Sequence, residues 1–103
     1  MNENLVEMVN QFGGRQSLWM IGAKNCVYDN KGDFVAFNFM RNSSQATFCK
    51  LIYNRAKDTY SIEFFTRAGR LTERFDEVYC DTLASTFSEY TGLVLTMPRF
   101  VNV

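Results

Sequence analysis

The chain reads as an α+β domain, an antiparallel meander of four to five strands with an N-terminal and a C-terminal helix packed on one face. Three observations predict this. Apolar residues recur at helical spacing near both ends, the middle alternates apolar and polar residues at strand period, and Gly, Asn and Asp gather between those segments. A length of 103 residues makes residues 1–103 a single domain. A domain of this size buries only about 60–65% of the surface of its unfolded chain, so its core must be dense in large side chains. Ten Phe and an aromatic content of 16% supply them.

The opening NENLVEMVNQFGG places Leu5, Met8, Val9 and Phe12 on one helical face. Asn2 or Asn4 can cap its start, and Gly13 suits a left-handed residue after its end, which predicts a helix over 3–12. SLWMIGAK is an apolar run too short for a helix, with Gly22 marking a bulge or a close backbone approach. NCVYDNKGDFVAFNFM reads as two strands about the turn Asp29-Asn30-Lys31-Gly32. In ATFCKLIYN, residues Cys49, Leu51 and Tyr53 share one face. TYSIEFFTR sends Tyr60, Ile62 and Phe64 one way and Ser61 and Glu63 the other. RAGRLTER reads as a polar connection to a helix over 76–90, with Val78, Tyr79, Leu83, Phe87 and Tyr90 as its stripe. Asp76 and Glu77 suit the positive end of that helix and Gly92 its C-terminal side. LVLTM, before Pro98, is a candidate edge strand or extended tail.

Composition narrows the chemistry. Eleven basic and eleven acidic residues cancel, which argues against a general nucleic-acid binder, since such a protein needs a cationic field to displace counterions. Three Cys without a CxxC pair, and no His, disfavour the usual thiolate–imidazole metal sets, so neither a metal nor a cofactor is expected. The odd count and the lack of a signal-like segment predict buried free thiols in a reducing cytoplasm. No apolar run approaches the roughly 20 residues that cross a bilayer, so no membrane role is expected.

The glycine-rich stretch FGGRQSLWMIGAKN tempts a phosphate-loop reading. Its glycine spacing is wrong, Asn25 follows Lys24 where a hydroxyl residue is needed, and the glycines follow a helix instead of preceding one. The plainer reading is a helix stop at Gly13-Gly14 and a bulge at Gly22. What remains is a cationic rim. Arg15 and Lys24 would flank one strand and, with Arg41 from the next loop, face an anion, helped by Asn25 and by stacking from Trp19 or Tyr28. KGDFVAFNF imitates an RNA-recognition signature, but its order slips at Asp33 and its partner strand is too near. Without His, acid–base work would fall to carboxylates, Lys, Tyr or Cys, and no pair among them stands out; no catalytic residue is assigned and the chain is expected not to be an enzyme.

The segments GGRQ…M.GAKN.V, DTY.IEF and VYCD.L…F…TGL together resemble a family of small, mostly uncharacterised proteins of bacteriophages and other mobile elements. The matches are Gly13, Gly14, Arg15, Met20, Gly22 to Asn25, Asp58 to Tyr60, Val78, Tyr79, Asp81, Leu83, Phe87 and Thr91 to Leu93. Ile21 and Cys26 depart from the pattern, which has Thr and Phe there. The resemblance implies a phage-like origin and the bacterial host cytoplasm as the workplace. With size and origin, it suggests a non-enzymatic accessory protein of anti-defence type that binds and inhibits or sequesters a host bacterial protein or a small signalling nucleotide. The alternative is a nucleic-acid-binding accessory protein for phage replication or recombination. Phe48, Phe65 and Phe100 lie off the expected buried face and offer a partner surface, or the interface of a homodimer.

Overall fold

Asn2 sets the first helix in place. Its side chain accepts from the Leu5 amide at 2.9 Å, capping helix α1 (Glu3–Phe12), while its own amide donates to Asn30 Oδ1 at 2.8 Å. One residue thus starts the helix and ties it to the turn of the first hairpin. Leu5, Met8 and Phe12 are buried along one face, and Gly13, at φ 122°, closes the helix as expected. The structure is a computed structural model and describes residues 1–95.

The next segment corrects the sequence reading. Gly14 to Met20 form a second helix, α2, instead of extended chain. Gly13 and Gly14, both at positive φ, allow a new helix to begin at once at an angle to α1. Ser17 is buried and Leu18 packs on the core, so tertiary contact outweighs the shortness of the helix. Gly22, at φ 67°, then turns the chain into the sheet.

Five antiparallel strands follow in the order β1-β2-β3-β4-β5: Lys24–Asp29, Phe34–Asn38, Phe48–Asn54, Thr59–Phe65 and Leu71–Val78. The meander and the first four strands agree with the alternation in the sequence. The fifth does not stand where sequence placed it. Residues 71–78 were expected to hold a polar connection and the start of a helix, yet they pair with β4, and Asp76 and Glu77 are strand residues. The cause is a bulge. Tyr60 faces Val78 and Ile62 faces Phe75, so Asp76 and Glu77 both stand opposite Ser61. The extra residue breaks the period of two, and the spacing then imitates a helix. Helix α3 starts later, at Leu83–Thr91, and Tyr79 is exposed instead of joining its stripe. Leu93 to Leu95 are irregular; Thr96 and Met97, the rest of the expected edge segment, lie outside the described residues, as do Pro98 and Phe100.

Helices α1 and α3 cover one face of the sheet. Tyr60, Ile62 and Phe64 lie beneath them at 6%, 0% and 0% exposure, the buried row read from the sequence. Phe12 and Phe87 meet edge to face at 5.0 Å, and Phe87 reaches Phe39 at 5.1 Å, so both helices close on one aromatic cluster. The other face carries Phe34, Lys50, Ile52, Phe48 and Phe65 between polar neighbours, with the Lys50 ammonium 4.2 Å from the Phe34 ring. The thiols differ from expectation: Cys49 is buried, but Cys26 and Cys80 are exposed, because each stands at the periphery of the fold. No helix of the described residues is long and apolar enough to cross a membrane.

Candidate functional site

In a five-strand meander, the start of β1, the β2–β3 loop and the β4–β5 loop fall at the same end of the sheet. Here that end is a groove of about 660 Å³ lined by Lys24, Asn38, Phe39, residues 41–47 and Arg67. Lys24 pairs in register with Asn38 across β1 and β2, Asn38 with Phe48, and Phe48 with Phe65, so one row of the sheet runs along this end, and its Lys24 and Asn38 line the groove. The backbone amide of Thr47 donates to the Phe65 carbonyl at 3.0 Å and holds the two loops side by side.

The β2–β3 loop is fixed by one side chain. The Asn42 amide group donates to the carbonyls of Met40 and Ala46, each at 2.8 Å, while its oxygen accepts from the Ser44 amide at 2.9 Å and from the Ser44 hydroxyl. Ser43 donates through its hydroxyl to the Thr91 carbonyl at 2.9 Å, fastening the loop to the end of α3. Arg41 therefore projects from a braced loop.

The electrostatics are one-sided. Lys24, Arg41 and Arg67 line the groove, no carboxylate does, and none of the three takes part in an ion pair among the described residues. Asn38, Gln45 and Thr47 add polar side chains that make no hydrogen bond within the described chain. Three other cations are held by carboxylates. Arg55 grips Asp33 through Nε at 2.6 Å, and that hydrogen bond, with Asn2 assisting, holds the Asp33 carboxyl below its usual range. Arg74 joins Glu63 and Asp76, and Lys57 pairs with Glu77 at 3.4 Å. Asp76 is likewise held low, first by the Ser61 hydroxyl and then by Arg74. A groove with three uncommitted cations, amides and hydroxyls suits a phosphate or a similar oxyanion, because guanidinium forks match its oxygens in pairs.

Of the residues picked out from the sequence, the fold brings Lys24 and Arg41 together. Arg15 lies on α2 and borders a separate recess with Met1, Val6, Val9, Asn10 and Leu18, so it does not flank the β1 strand beside Lys24. Trp19 is 77% exposed near the end of α2 and does not line the groove, nor does Tyr28. Asn25 occupies a bulge of β1 at φ 55°. Arg67 was missed. Its signal was present in the loop RAGR, but only a correct placement of β5 shows that this loop meets the one holding Arg41.

A second cluster, of Glu7, Asp58, Tyr60, Tyr79 and Cys80, borders a smaller recess at the opposite end of the sheet. Burial, reinforced by the Glu7 charge, pushes the Tyr60 phenol up to about 12. The Tyr53 hydroxyl donates to Asp58 at 2.7 Å, a bond that raises its own pKa. These contacts keep the phenols of Tyr53 and Tyr60 protonated at neutral pH. Comparison with protein-family models, curated proteins and solved structures finds no match to the chain.

Proposed function

We propose that the protein is a non-enzymatic binding module that captures a small phosphate-bearing molecule, of the signalling-nucleotide class, in the groove between the β2–β3 and β4–β5 loops. One observation carries this reading: among the described residues, Lys24, Arg41 and Arg67 converge on a groove that no carboxylate lines, while Arg55, Lys57 and Arg74 are held by carboxylates elsewhere. Net charge of zero is no obstacle, since recognition by a local set of donors needs no overall positive field. The same neutrality disfavours the nucleic-acid alternative, whose affinity rests on many phosphate contacts. The resemblance to phage and mobile-element proteins supplies the setting, an accessory protein that sequesters a host nucleotide in the bacterial cytoplasm.

The test is a thermal-shift screen against cyclic and linear nucleotides, followed by equilibrium binding. A ligand at about 100 times its Kd adds about 2.7 kcal/mol to stability, an upward shift of roughly 10 °C or more for a domain of this size. Arg41→Ala and Arg67→Ala should each weaken binding by about 10- to 100-fold, the worth of a charge-assisted hydrogen bond. Arg15→Ala should leave it unchanged. Absence of any shift, or a loss that follows Arg15 instead, rejects the groove.

A further inference from the structure

The two edges of the sheet are built differently. Strand β5 carries Glu73, Arg74, Asp76 and Glu77, and its pairing with β4 is broken by two irregularities. Such charges and bulges keep an edge from meeting another strand. Strand β1 has charge only at its two ends, Lys24 and Asp29, with Asn25, Cys26, Val27 and Tyr28 between them. Every one of its six residues is exposed, and Val27 and Tyr28 are each 53% exposed.

The free backbone groups of β1 can be located. Phe39 donates to the Thr47 carbonyl and Tyr53 to the Asp33 carbonyl, so odd-numbered residues of β2 turn their peptide groups toward β3. Even-numbered ones, Phe34 and Ala36, turn theirs toward Asp29 and Val27. Tyr28, between those two, therefore presents its N–H and C=O away from the sheet.

We infer that this edge is a pairing surface for a second copy of the chain, joined antiparallel about a two-fold axis at Val27. The bulge decides the match. Asn25 and Cys26 together stand opposite one residue of β2, so Lys24, Val27 and Asp29 all lie on the face away from the helices. Pairing Val27 with Val27 of the second copy then sets Tyr28 against the Asn25-Cys26 bulge and Asp29 against Lys24. Each pair lies on the same face, as direct antiparallel partners must. Without the extra residue the end charges would fall on opposite faces. Both ends of the seam are thus oppositely charged, and its centre is apolar. The axis keeps both helix layers on one side of a continuous ten-strand sheet. Helix α2 leads into β1 through Ile21, Gly22 and Ala23. Lys24 also borders the groove, so a phosphate bound there competes with Asp29 of the second copy for one cation.

Sedimentation equilibrium of the full chain without nucleotide tests the seam. The wild type should show twice the chain mass at micromolar concentration and above. Val27→Lys places two ammonium groups at the axis and should return the mass to that of one chain, with an unchanged far-UV spectrum. Asp29→Lys should do the same, and Lys24→Asp combined with Asp29→Lys should restore the dimer, because the swapped ends again complement each other. Hydrogen exchange at the Tyr28 amide should slow as protein concentration rises. A wild-type monomer overturns the inference, leaving the edge to another partner or to none. So does a dimer that survives Val27→Lys with the Tyr28 amide unprotected.

Discussion

Glu77 holds a backbone conformation that its residue type rarely adopts, at φ 55° within the β5 bulge. Asn25, Asp33 and Asp58 share this region, but their short polar side chains tolerate it, whereas Glu gains no such local bond. Its pairing with Lys57 is exposed on both sides and adds little. Glu77→Gly should therefore stabilise the fold by up to about 1 kcal/mol, read as a higher midpoint in urea with an unchanged slope. Tyr60 supplies a pH test. Its phenol ionises near 10 in an unfolded chain but only at about 12 here, because burial opposes the phenolate. The contribution is whole below pH about 10 and is lost as pH climbs toward 12, since only the unfolded state releases its proton early. Tyr60→Phe should flatten that part of an alkaline melting series. At this scale the sequence was informative wherever alternation was clean, as at Tyr60, Ile62 and Phe64. It misled where one inserted residue shifted the phase, as at Asp76-Glu77.

At the scale of elements, the same inserted residue separates what the sequence showed from what it concealed. Helix α1, the first hairpin and strands β3 and β4 follow from capping and period alone. Helix α2 does not, because its seven residues have too little intrinsic helicity and form by packing on α1. Two of the groove's cations were legible, and the third was hidden with β5. Gly92 couples the elements to the groove. It caps α3 at φ 79°, and a Cβ there would stand 2.7 Å from Ser43 Oγ, whose hydroxyl fastens the Arg41 loop. Gly92→Ala should cost about 1–2 kcal/mol through the left-handed backbone, lowering Tm by several degrees. By displacing Ser43 it should also weaken nucleotide binding, an effect that calorimetry would separate from the loss of stability.

Across the whole molecule, charge is sorted by place. Among the described residues, one end of the sheet gathers unpaired cations, Arg55, Lys57 and Arg74 are held by carboxylates at the far hairpin and the β5 edge, and the β1 edge bears opposite charges at its two ends. That sorting explains how a chain of zero net charge can still present a strong local field. It also separates the two proposals by their salt response. The groove should weaken with ionic strength as its cations are screened, while the apolar centre of the seam should persist.

The contact between Phe12 and Phe87 has a further consequence, for synthesis. A chain emerging from the ribosome exposes α1 early, yet its aromatic face finds Phe87 only after nearly the whole described sequence has been made. Until then Phe12, Phe39 and Phe64 have no lid from α3. Maturation should therefore wait for α3, and nascent chains halted before it should remain open to chaperones.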